Sequence, residues 1–309
     1  MSDDSTFHVE QTKNSVAEKV QLSHCPICNN TKFKSKFSVL DHFYSHEEFH
    51  IAECNGCGFL CTNPRPANSI LPSYYNSDAY VSHSGSKKGL LNRIYHQVQT
   101  FNFRIKYRSI PLDVPHGTWA DYGAGNGGFL RYLKGKGKDV IGFEPEEDAR
   151  KNAANQGMDL SPVSDFGHKN KSYSCITMWH VLEHIPDVNE VLDKLVSHLT
   201  PGGILAIAVP NYESFDAKWY REYWAAFDVP RHIWHFSEKH IIRLCQKHQI
   251  EFQYKKPMPF DSFYVSILSE GYQNKFKPKG IILGALSNLY ARFSDYPYSS
   301  QIYIFKKPI

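Results

Sequence analysis

The 309-residue chain has no apolar run approaching the roughly 20 residues that a bilayer-spanning helix requires. Its polar stretch from Met1 to Leu22 holds no apolar signal-peptide core. Together these absences predict a cytoplasmic protein without a membrane span. No segment repeats at the period of a solenoid, and no G-K-[ST] follows the glycine-rich stretch, which excludes a P-loop. Charge of one sign is also scarce. A net charge of +4 permits an anionic substrate without demanding nucleic acid. With 41% apolar and 21% charged residues, burying a core presents no difficulty, and the length allows a full α/β domain plus one or two attachments. In a reducing compartment, seven cysteines read as metal ligands and buried thiols rather than disulfides.

The chain is organised around Trp119-Ala-Asp121-Tyr-Gly123-Ala-Gly125-Asn-Gly127-Gly128-Phe129. A short apolar run, a carboxylate and four glycines lead into residues of helical spacing, the pattern of strand, tight turn and helix at a nucleotide-binding corner. Gly123, Gly125 and Gly128 also satisfy the dinucleotide spacing G-x-G-x-x-G. Asp121 tilts the choice, because an acid there repels a pyrophosphate and attracts a cationic ligand end such as an ammonium. Asp139 to Glu144 reads as a second strand ending in an acid suited to ribose hydroxyls. Further strands are expected at Tyr173–His180, Ile204–Val209 after a Pro201-Gly202-Gly203 turn, 250–255 and Ser300–Lys306, with helices at 187–199 and 237–248. Long apolar strands alternating with helices predict a doubly wound α/β sheet.

Ahead of this domain, Cys25-Pro-Ile-Cys28 and Cys54-Asn-Gly-Cys57 form paired C-x-x-C knuckles. That spacing predicts one closed, structural Zn(Cys)4 site, with Gly58 relieving the second turn. The expected organisation is a flexible leader at 1–20, a zinc ribbon at 21–62, a linker and helical cap at 63–116, and the α/β domain at 117–309. Residues 86–110 carry Lys87, Lys88, Arg93, Arg104, Lys106 and Arg108 without an acid, which reads as a solvated basic helix face. Residues 257–298 exceed what a plain hairpin needs and are read as a lid or an oligomer contact.

Taken together, Asp121 to Gly128, Glu144, Trp179 to Asp187, the Pro-Gly-Gly turn and the late helix-strand-strand ending resemble the class I S-adenosylmethionine-dependent methyltransferases. The resemblance covers roughly 70–307 and implies a Rossmann-like sheet of seven strands. It gives Asp121, Gly123 and Gly125 the methionine half of the cofactor, Glu144 the ribose, and Trp179 and His180 the surroundings of the methyl group. The double knuckle, the Pro64–Pro66 linker and the tyrosines from Tyr74 to Tyr80 are similar to a subgroup of sugar C-methyltransferases and of polysaccharide and secondary-metabolite enzymes. In Asp228-Val-Pro-Arg231-His232-Ile-Trp-His235-Phe-Ser237, the subgroup's histidine base falls on His232. Arg231 stands where the subgroup carries glutamate, Pro230 where it carries its first histidine, and Val229 where it carries a tyrosine, which leaves the acceptor atom open.

A histidine suits general-base catalysis near neutral pH, so His232 is the first candidate and His180 the second. Arg231, His235 and Trp224 are candidate contacts for a small-molecule acceptor, an aromatic-walled sugar site being the natural fit. His180, Glu183 and His184 form a candidate second metal site, similar to the Glu-x-x-Glu-His of quinone-pathway O-methyltransferases. Two further readings are an RNA methyltransferase gripping phosphates with its ribbon and basic helix, and a cofactor-binding scaffold without turnover. The sequence leaves the oligomeric state open.

Overall fold

The computed structural model describes residues 18–75, 90–168 and 171–309. Most of the expected leader, together with Tyr80, Lys87 and Lys88, lies outside these residues, as does the side chain of Arg93. The amino-terminal part contains β1 (Lys19–Val20), β2 (Phe33–Leu40), β3 (Glu48–Cys54), β4 (Leu60–Thr62) and β5 (Arg65–Pro66). β1 pairs with β5, and β2, β3 and β4 form an antiparallel meander. The outer edge of β4 is closed from far along the chain by β10 (Trp234–His235). The knuckle module is thus sewn into the larger domain through a shared four-stranded sheet.

The central sheet has six strands in the order β11-β12-β9-β8-β6-β7. β6 (Trp119–Tyr122), β7 (Val140–Phe143), β8 (Tyr173–Trp179) and β9 (Leu199–Pro210) run parallel. β12 (Ser300–Lys306) is antiparallel to β9, and β11 (Glu251–Pro257) is antiparallel to β12. Every residue of β8 is buried, as a strand covered on both faces requires. The seventh strand expected from the sequence is reduced, among the described residues, to a single parallel bridge between Phe143 and Ser161. Ser161 donates to the Gly142 carbonyl and accepts from the Glu144 N–H, and the tight turn at Val163–Asp165 then carries the chain off before a second bridge forms. The sheet is therefore mixed, and the Pro201–Gly203 segment read as a separate turn lies within β9, opposite a register shift between Tyr173 and Cys175.

Around the sheet lie α1 (Leu90–Ser109), α2 (Gly128–Lys134), α3 (Glu147–Ala154), α4 (Val188–Ser197), α5 (Phe215–Tyr220) and α6 (Glu238–Gln246). The segment read as a lid folds as an antiparallel pair, α7 (Pro259–Tyr272) and α8 (Lys279–Phe293). One continuous core runs from Cys25 and Cys54 through Phe59 and Trp234 to Ile207 and Leu192. Phe59 of the knuckle module stacks on Trp234 at 5.8 Å, so the two parts share apolar surface as well as backbone pairing.

The splice has one buried polar rivet. The Thr62 hydroxyl donates to the His232 carbonyl at 2.7 Å and lies 3.1 Å from His235 Nε2. Thr62→Val keeps the shape but leaves both groups unpaired in the core. Its expected cost is about 1–3 kcal/mol per orphaned group, read as a lower midpoint in chemical denaturation.

Candidate active site

β6 ends in Asp121 and turns through the glycines into α2. Gly123 has φ 78°, and a Cβ there would stand 2.4 Å from Val181 Cγ2, so only glycine fits between this turn and the loop after β8. The Gly125 N–H donates to Glu144 Oε2 at 2.7 Å, and the Glu146 N–H donates to Oε1 at 3.1 Å. The acid at the tip of β7 is thereby fixed beside the glycine turn. β7 and β8 lie on opposite sides of β6, so this corner is the switch point of the sheet, where open α/β sheets hold ligands.

Asp121 is 2% exposed and accepts the Thr177 hydroxyl at 2.5 Å. Burial raises its pKa to about 7, against the lowering effects of Thr177 and Lys106, and Glu144 adds to the rise. A buried acid at this level is poised to gain from a cation. Lys106 is the residue that sequence reasoning misplaced. It turns inward from the basic helix α1, its ammonium 4.8 Å from the Trp179 ring centroid, and Asp121 and Asp261 oppose the lowering of its pKa by burial. Trp179 is 8% exposed, meets Phe129 edge-on at 5.2 Å, and its indole N–H has no protein acceptor.

Beyond the carboxyl ends of β8 and β9 opens a cavity of about 430 Å³. His180 lines it from the end of β8 with φ 58°, an uncommon backbone state for a residue with a side chain. Its Nε2 lies 2.9 Å from Asp261 Oδ2 on α7, and its Nδ1 lies 3.4 Å from Glu183 Oε1. Burial lowers its pKa, but Asp261 and Glu183 outweigh that effect and push it up to about 9. Asp261 carries this partnership from within the segment read as a lid, and no local motif marks it. His232 also lines it at 8% exposure, its Nδ1 2.9 Å from the Ala226 carbonyl.

The other candidate contacts sit differently. Arg231 borders the cavity but is 2% exposed, and its guanidinium is spent on protein partners. It donates to Asp228 at 2.6 and 3.0 Å, to Asp41 at 3.3 Å and to the Tyr74 carbonyl at 3.1 Å. Trp224 is buried, donates to Asp216 at 2.8 Å and does not line the cavity. His235 is also buried away from it, held by Thr62.

Among the described residues, two groups bring metal-ligating atoms together. Cys25, Cys28, Cys54 and Cys57 place all four sulfurs within 4.8 Å of one another, with Cys25–Cys57 at 3.6 Å and Cys28–Cys54 at 3.5 Å. Gly58 has φ 77°, the turn the second knuckle needs. The second group is Glu183, His184 and His232, which differs from the sequence-derived trio in having His232 in place of His180. Within it His184 already braces the loop, its Nδ1 lying 3.0 Å from both the Arg231 carbonyl and the Tyr75 hydroxyl.

The family model described as a methyltransferase domain matches residues 94–253, just over half the chain. The chain belongs to the class I S-adenosylmethionine-dependent methyltransferases. No curated protein matches it in sequence. Among solved structures, the Haemonchus contortus phosphoethanolamine N-methyltransferase 2, in complex with phosphomonomethylethanolamine and S-adenosylhomocysteine, is similar at 16% identity with a TM-score of 0.53. That match covers 90% of this chain and 68% of the other. The magnesium protoporphyrin IX methyltransferase of Synechocystis PCC 6803, with bound S-adenosylhomocysteine, is similar at 13% identity with a TM-score of 0.51, covering 78% of this chain and all of that one. At these identities the likeness is one of fold.

For this methyltransferase, Asp121 yields a direct test. An ammonium favours the ionised acid, and protonation removes that attraction. Affinity for S-adenosylmethionine is therefore expected to fall as pH drops through about 7, where Asp121 takes up its proton. Asp121→Asn should weaken binding about 10–100-fold and abolish this pH dependence, both measured by titration calorimetry.

Proposed function

We propose that the enzyme methylates a small acceptor held in the cavity beyond β8 and β9, with His180 as the general base. The observation that carries this reading is the Asp261–His180 pair at 2.9 Å, reaching into the cavity at the carboxyl edge of the parallel strands. Methyl transfer from a sulfonium is an in-line displacement, so the protein mainly aligns the acceptor, excludes water and removes a proton. Asp261 orients the imidazole. The sulfonium, arriving beside it as a second cation, opposes the protonated form and favours release of the proton. His232 presents a second imidazole to the same cavity.

A volume of about 430 Å³ suits a small molecule, since ligand pockets run from about 300 to 1,000 Å³. Phe43 and Tyr264 supply ring faces, and Asp228 and His232 supply polar ones. Such a mixture fits a sugar or a glycan or secondary-metabolite precursor, in keeping with the double knuckle and with His232. A histidine base suits an acceptor whose proton leaves during transfer, a hydroxyl or an enolisable carbon. We assign the four thiolates a structural zinc. A set of four cysteines closes a tetrahedral ion without leaving a position for substrate.

The assignment of the base is tested by the pH profile. With His180 as base, the rate should climb with pH along a limb at or below about 9, because the imidazolium must lose its proton first. Asp261→Asn should move that limb to lower pH. His180→Gln should cut kcat by about 10²–10⁴-fold while leaving S-adenosylmethionine affinity in place. An unchanged kcat in His180→Gln would transfer the role to His232.

A further inference from the structure

Helix α8 is built inside out. Its inward positions are Gly280, Leu283, Gly284 and Ser287, and the three small ones let the backbone of α7 come close. A Cβ on Gly280 would stand 2.5 Å from the Ile267 nitrogen, and one on Gly284 would stand 2.7 Å from Phe263 Cα. Apart from Leu283, the large apolar residues face the other way. Ile281, Ile282, Leu286, Leu289 and Phe293 are exposed by 52, 62, 36, 54 and 75%. Tyr290 continues the patch, stacked at 4.3 Å on Phe215, whose other ring neighbours are Tyr296 and Trp219, the latter 53% exposed. Single exposed apolar residues are ordinary, whereas a contiguous apolar face marks an interaction surface.

Charge around the patch identifies what it meets. From Gly271 to Ser294 the chain has no acid, and Lys275, Lys277, Lys279 and Arg292 are all exposed beside the apolar face. Lys279 lies over the Trp219 ring at 5.9 Å. The first acid afterwards is Asp295. An apolar face ringed by cations and aromatic rings is the composition of a helix lying in a membrane interface. A second copy would bring the same cations against these ones, whereas an anionic bilayer complements them. Among the described residues no helix is long and apolar enough to cross a membrane, so contact would be made from one side. We propose that the α8 face docks on an anionic lipid surface, with Ile282, Leu286, Leu289 and Phe293 at the acyl boundary and the lysines among the headgroups.

The test is flotation of the full chain with vesicles of phosphatidylcholine alone or mixed with phosphatidylglycerol. Binding is expected to the mixed vesicles and to weaken with added salt. Trp219 is the one exposed tryptophan, the other four being at most 8% exposed, so a blue shift of the emission reports its burial. Each cation near the surface is worth about fivefold in partitioning, so the combined Lys275→Gln, Lys277→Gln and Lys279→Gln variant should bind about a hundredfold more weakly. Ile282→Ser with Leu289→Ser should remove the blue shift. These positions are exposed, and circular dichroism checks that the variants remain folded. Absence of binding to mixed vesicles, or equal binding by the lysine variant, would overturn the proposal. So would a stable dimer in sedimentation equilibrium that Ile282→Asp dissociates, because the face would then belong to a second copy.

Discussion

A buried cation holds the two halves of the molecule in register. Arg231 keeps its guanidinium 2% exposed, and an ion so removed from water persists only where partners replace its hydration. Asp228 supplies two of those partners from the same loop, while Asp41 comes from the knuckle module and the Tyr74 carbonyl from the linker that follows it. Phe43 covers the guanidinium face at 4.7 Å. Stranding such a charge costs about 3–5 kcal/mol, enough to make the loop around it intolerant of rearrangement. That loop carries His232 and the Ala226 carbonyl that orients it. The cavity wall therefore takes its shape from a contact whose other side, at Asp41, lies 190 residues earlier in the chain.

The site itself divides into two electrostatic compartments that meet at the end of β8. On one side, Asp121 and Glu144 stand against glycines and buried backbone. On the other, His180 lies between Asp261 and Glu183, and Arg231 neutralises Asp228. Lys106 and Trp179 stand at the boundary.

The parts of this arrangement legible in the sequence are the local ones. The glycine corner, the acid at the tip of β7 and the apolar strands announce themselves because each depends on a backbone shape or period that few residues satisfy. Ser300–Lys306 was bounded to the residue by its alternation. The sequence reading failed where partners are distant. Lys106 looks like one more cation on a solvated helix, and only the packing of α1 over Trp179 turns it inward. Asp261 lies in a segment with no local motif, and Thr62 reads as the last residue of the ribbon until β10 returns beside it. Trp224 looks like a sugar platform because aromatic density cannot distinguish a wall of the core from a wall of a pocket. The count of seven strands follows a family pattern that the turn at Val163–Asp165 cuts short.

The pairing of β4 with β10 also bears on modularity. A knuckle module hung on a flexible tether could be exchanged, duplicated or lost without consequence to its neighbour. Here its removal would expose the edge of β10 and the apolar face of Trp234, while its transplantation would leave β4 with unpaired backbone groups. Either half alone would be left with an adhesive edge. The chain is therefore divisible on paper near residue 63 and indivisible as an object, so that swapping its amino-terminal part between relatives means carrying the Trp234–His235 segment along with it.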